Sequence, residues 1–138
     1  CVIETLCEKE RESMVTLDTL KITPYHPVMN ETYEWRFPKS LGKVEEISCP
    51  SMFTFITQDR GCVIIEAHIF ATYGHYIRGD VISHDYFGTD KVIQDMKVFE
   101  TYDRGYICLR KEYFKKGNTG RVVKIQKDPV LGFHLSNL

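Results

Sequence analysis

Ile22-Thr23-Pro24-Tyr25-His26-Pro27-Val28 is the stretch on which the reading of this chain turns. Prolines at 24 and 27 fix φ and remove two main-chain donors, so the segment suits neither a helix nor the interior of a sheet. It reads as a stiff loop between strands, with Thr23 and His26 three residues apart and able to point the same way. Before it, Met14-Val-Thr-Leu17 and Leu20-Lys-Ile-Thr23 read as the two arms of a hairpin across Asp18-Thr19. Further out, Cys1 to Leu6 reads as a strand and Glu8 to Ser13 as a polar turn. On the other side, Asn30 to Trp35 includes a turn, Arg36-Phe-Pro38 ends a strand, and Lys39 to Glu46 reads as a solvated connection. Met52 to Thr57 and Cys62 to Glu66 are strands across the turn Gln58-Asp-Arg-Gly61, and His68 to Tyr73 continues the β pattern. The fold class expected is mostly β: a curved assembly of short strands.

The pattern changes after Asp80. From Thr89 to about Tyr102, Val92, Ile93, Met96 and Phe99 fall at helical spacing, with Thr89 or Asp90 as cap and Gly105 just past the end. The charged run Arg110 to Arg121 contains Gly117-Asn-Thr-Gly120, a hairpin turn, before a last strand at Val122 to Ile125. Residues 128–133 trail off. The division expected is a β body over 1–80 and an α+β extension with one helix over 81–138, packed as one domain.

Composition bounds the function. The chain has 138 residues, 43% hydrophobic and 27% charged, which is ordinary globular usage, and a net charge of −1. No basic field points to nucleic acid, and no apolar run has the length of a membrane span. The five cysteines (1, 7, 49, 62 and 108) are an odd number without close spacing, which suits buried thiols in a reducing, intracellular and cytoplasmic setting. There is no Cys-x-x-Cys or His-x-x-x-His spacing, no Gly-rich phosphate loop and no Gly-x-Ser-x-Gly elbow, so neither a metal nor a cofactor is expected. His84-Asp85 reads as a turn or packing feature, His68 as a satisfied strand histidine, and His134 as part of the tail.

Three separated blocks occur in order: Thr23-Pro-Tyr-His26, Tyr73-Gly-His75, and Ser83-His-Asp-Tyr-Phe-Gly-Thr-Asp-Lys-Val92, with Trp35-Arg-Phe-Pro38 and Ser48-Cys49 between the first two. This succession resembles the Hint (hedgehog/intein) family, in the subgroup found beside von Willebrand A domains, over about residues 1 to 100. The resemblance implies that Thr23 and His26 flank a scissile peptide bond and that the His75 block converges on the same cleft. In that family the histidine assists an N-to-S acyl shift. Turning an amide into a thioester is uphill, so the leaving nitrogen must take a proton as the tetrahedral centre collapses.

The departures shape the functional expectation. The nucleophilic Cys or Ser of a complete Hint domain opens the domain, with several strands before the Thr-x-x-His loop. Here Cys1 corresponds to the strand just ahead of the hairpin. The chain starts without a Met, as a processed product or a piece of something longer would, and Cys1 stays open as an alternative nucleophile. Splicing members end on His-Asn, and this chain has His75-Tyr76, whose side chain has no amide to cyclise. Asn137 has no His before it. Two readings follow: a structural or interaction module without complete autoprocessing chemistry, or a self-cleaving domain that uses Cys1 or an upstream nucleophile. The candidate site residues are Thr23, His26, His75 and Cys1. The expected partner is another protein, or a missing segment of the same gene product, that supplies strands along Cys1–Leu6 or Met52–Thr57.

Overall fold

A computed structural model describes residues 1–127 of the chain, and β1 (Val2–Leu6) is the middle strand of its sheet. Its buried side chains, Ile3 and Thr5, alternate with more exposed ones, as a strand with one core face requires. β2 (Arg11–Leu17) and β3 (Leu20–Ile22) form the expected hairpin, in which Asp18 takes the left-handed conformation (φ 57°) that a two-residue turn demands. β4 (Val28–Met29) and β5 (Trp35–Arg36) are joined by a loop in which the Asn30 side chain accepts from the Thr32 and Glu34 amides. β6 (Val44–Ser48), β7 (Ser51–Phe55), β8 (Cys62–Ile65) and β9 (His68–Ala71) complete the first half. After α1 (Asp90–Lys97) come β10 (Tyr106–Arg110), β11 (Phe114–Lys116) and β12 (Val122–Ile125).

The strands form four small sheets: β10-β1-β7, β3-β2-β6, β5-β4-β9-β8 and the hairpin β11-β12. β1 runs antiparallel to β7 and parallel to β10, with Val2 opposite Phe55 on one side and Tyr106 on the other. Cys1–Leu6 therefore offers no open edge. Its groups are taken on both sides, and of the two edges expected from sequence only the β7 side lies at a sheet border.

Two clusters of apolar side chains hold the described residues together. The larger joins Ile3 of β1 and Ile56 to Tyr86, to Val92 and Met96 of α1, to Ile107 and Leu109 of β10, and to Ile125 of β12. The smaller joins Val15, Ile22, Val28 and Phe70. Each such fully buried aliphatic side chain contributes about 1.5–3 kcal/mol relative to exposure. A polar stitch crosses the larger cluster: the Tyr86 hydroxyl donates to Asp95 Oδ2 at 2.7 Å and accepts from the Ile125 amide at 3.0 Å.

Several boundaries differ from the sequence expectation. Lys39 to Glu46 is not wholly a connection, because Val44–Ser48 pairs with β2. The polar turn is confined to a single 3-10 turn at Glu8–Glu10, and β2 begins at Arg11. The helix is shorter than its apolar stripe, ending at Lys97, and Gly105 caps a separate 3-10 turn at Tyr102–Arg104. His84-Asp85, by contrast, lies outside any strand, in keeping with its reading as a turn or packing feature. The expectations for residues 128–133, His134 and Asn137 lie outside the described residues.

Candidate functional site

The Thr23 loop is fixed by main-chain bonds that its prolines leave available. The His26 amide donates to Thr23 O at 3.3 Å, Lys39 N–H to Pro24 O at 3.1 Å, and Ala71 N–H to Pro27 O at 3.1 Å. The last of these docks the loop on the end of β9. There His26 Nε2 lies 2.6 Å from Ala71 O, and its ring meets Phe70 edge-on with centroids 6.1 Å apart. A carbonyl only accepts, so Nε2 carries the proton and the neutral ring keeps a bare acceptor at Nδ1. Burial lowers the His26 pKa, and the Ala71 bond opposes this in part. His26 therefore sits neutral above the ordinary histidine range.

The second histidine is built in from the other side. His75 is 4% exposed, and its Nδ1 accepts from the Ile77 amide at 2.9 Å, which leaves the proton on Nε2. Its pKa falls to about 4, through burial first and then through the electrostatic influence of His26, Arg78 and Arg60.

The glycines of the two later blocks explain how His75 is enclosed. A Cβ on Gly88 would lie 2.3 Å from His75 Cε1, and one on Gly74 would lie 2.7 Å from Ile93 Cδ1 of the helix. The Gly88 amide donates to Tyr73 O, and the Tyr73 and Phe87 rings pack at 4.7 Å. Tyr73-Gly-His75 and Tyr86-Phe-Gly-Thr89 therefore interlock directly, with Thr89 Oγ1 accepting from the Lys91 amide to cap α1. Tyr76 has a structural part: its hydroxyl donates to Asp90 Oδ1 at 2.8 Å, and its ring lies against the Arg60 guanidinium. Arg60 also donates to Gly74 O at 2.7 Å and pairs with Asp90. His84 Nδ1 accepts from the Tyr86 and Phe87 amides, and His68 Nε2 meets Asp18 at 3.0 Å.

Thr23 and His26 face an open cleft of about 330 Å³ between β3 and β7, lined also by Thr5, Cys49, Phe53 and Tyr73. Tyr73 shares a hydrogen bond with Thr5, and burial raises its pKa. Cys1 is placed differently. Its nitrogen donates to Ile56 O at 2.7 Å, the Ile56 amide returns the bond to Cys1 O at 2.9 Å, and Cys1 packs on the larger cluster. The structure thus brings Thr23 and His26 together on one cleft, encloses His75 against Gly88 outside the cleft lining, and puts Cys1 in a separate environment that is also outside it. Sequence reasoning missed Arg60, Tyr73 and Cys49. Arg60 sits in an ordinary turn, and Cys49 and Tyr73 stand in the sequence only as letters of Ser48-Cys49 and Tyr73-Gly-His75. Among the described residues no three His, Cys, Asp or Glu side chains gather as a metal set, and no helix is long and apolar enough to cross a membrane.

The profile of one protein family, described as Vint, a Hint-domain, matches residues 1–124. No curated protein matches the chain.

Proposed function

Since the chain belongs to the Hint-domain family, we propose that it serves as a structural and interaction module of that fold, whose cleft receives an extended segment from another chain or from elsewhere in the same gene product. In this reading the described residues do not by themselves complete self-cleavage. The observation that carries it is that Cys1 lies outside the lining of the cleft that Thr23 and His26 face. An acyl shift needs the nucleophile and its proton donor on one peptide bond, but the Cys1 nitrogen is engaged by Ile56 O while His26 is engaged by Ala71 O. The border of β7 supports the receiving role. Cys1 and Ile56 exchange both main-chain bonds, so by alternation the amide and carbonyl of Phe53 face away from β1. On that border the Tyr73 amide donates to Phe55 O at 2.9 Å, and the stretch around Phe53, which is 59% exposed, is the part that an added strand can use.

Incubation of the purified chain with thiol or hydroxylamine, followed by intact-mass measurement, tests the first half. The expected result is an unchanged mass, and a new fragment that disappears in His26→Ala would overturn it. A second reading, self-cleavage with a nucleophile outside these residues, is favoured by one feature: the bare Nδ1 of His26 beside Thr23 on the open cleft. Under that reading, the chain extended by its encoded upstream sequence releases a fragment with hydroxylamine, whereas these 138 residues alone do not.

A further inference from the structure

Cys7 and Cys49 are far apart in sequence and adjacent in space, with Sγ atoms 3.7 Å apart. The chain segments that carry them are tied together on both sides. The Cys7 amide donates to Pro50 O at 3.0 Å, and the Cys49 amide donates to Glu10 O at 2.8 Å. These bonds hold the end of β1 against the corner between β6 and β7. The two thiols differ in access. Cys7 is 8% exposed, whereas Cys49 is only partly buried and lines the open cleft. A disulfide has an S–S length of about 2.05 Å, so closing the pair asks for a shift of under about 2 Å, within reach of side-chain rotation.

We propose that Cys7 and Cys49 are a thiol–disulfide modification site that reacts reversibly with small-molecule disulfides of the glutathione type. The Cys49 thiolate attacks one sulfur of the external disulfide, whose S–S bond breaks and whose first thiolate leaves and takes up a proton. The Cys7 thiolate then attacks the Cys49 sulfur of the mixed disulfide, and the second external thiolate leaves and is protonated. The two protein thiols lose two electrons and two protons, and one external disulfide becomes two thiols. The order of attack follows from access: Cys49 meets the solvent, and Cys7 resolves from inside. Burial, followed by the Cys49 contact, pushes the Cys7 thiol up to about 12, which keeps Cys7 from reacting first and makes its resolving attack the slow step. Once closed, the bond pins the β6–β7 corner, one wall of the cleft that carries Thr23 and His26. This site stands independently of the partner-binding role.

The test is equilibration of the full chain in oxidised and reduced glutathione, then peptide mapping without reduction. Exposed Cys108 serves as the internal gauge of oxidation. The expected product is a peptide joining Cys7 to Cys49, a loss of two hydrogens from the chain, and a melting temperature higher by roughly ten degrees. All three reverse with dithiothreitol. In Cys7→Ser the glutathione adduct on Cys49 persists, because nothing resolves it. Should Cys7→Ser fail to fold, the mapping of the unsubstituted chain decides alone. The proposal is overturned if Cys108 carries glutathione while Cys7 and Cys49 remain unlinked, or if the linked peptide forms only in denaturant.

Discussion

Gly88 and His75 show what single residues contribute. Gly88 has φ +76° and the His75 ring in the place of a Cβ, so it meets two separate demands that only glycine satisfies. Gly88→Ala is expected to cost about 3 kcal/mol by urea unfolding, from left-handed strain and overpacking together. His75 makes the pH prediction. Its folded pKa of about 4 lies below the ordinary value of 6.5, so the unfolded chain takes up the proton first. The stability it supplies is full above about pH 6.5 and is lost as pH falls toward 4, about 3 kcal/mol in all. His26 and His84, whose pKa values burial also lowers, act in the same direction. Unfolding measured at pH 7.5 and 4.5, with an NMR titration of the His75 ring, checks this: a ring that titrates near 6.5 contradicts it. The sequence showed these residues as motif letters. It did not show that one glycine exists to admit one ring, because that depends on a contact between blocks thirteen positions apart in the chain.

At the scale of elements, the strands that alternate or carry aromatic and β-branched residues were legible, and those without that signal were not. Cys62–Ile65 and Val122–Ile125 have the expected composition. Val44–Ser48 places two glutamates in mid-strand and is mostly exposed, so it reads as solvated chain. It forms a strand because β2 offers it a partner and Arg11 pairs with Glu46. β10 was missed for a different reason, since its reach to β1 is a long-range parallel pairing that no local pattern announces. The helix was foreseen, with its cap, but not its length. Phe99, the last residue of the apolar stripe, packs on the larger cluster from beyond the end of the helix at Lys97. The cap itself is testable. Thr89 Oγ1 accepts from Lys91 N–H and donates to Tyr86 O, and Thr89→Ala should lower stability by about 1–2 kcal/mol, with Thr89→Ser recovering most of it. An unchanged urea midpoint in Thr89→Ala would remove the cap from the account.

For the molecule as a whole, the β class was readable from the succession of short strands, and the nearness of Thr23 to His26 follows from the proline loop that carries both. The unity of the described residues was harder to read. Ile3 and Ile56 share their cluster with Tyr86, Ile107 and Ile125, so the two halves divided near Asp80 rely on one core. Residues 1–80 expressed alone are expected to lack a cooperative urea transition, since β1 would lose β10 and the apolar cover of α1. A sharp two-state transition in that fragment would refute this. The pairing of Val2–Leu6 with Tyr106–Arg110 has a further consequence, in time instead of space. About a hundred residues separate the partners, and contacts of such long range are slow to form. During synthesis β1 leaves the ribosome about a hundred residues ahead of β10 and must wait for it before its sheet can close. Through that interval Ile3 lacks its β10 cover, so the nascent chain passes through a window in which chaperones, or aggregation, compete for this strand.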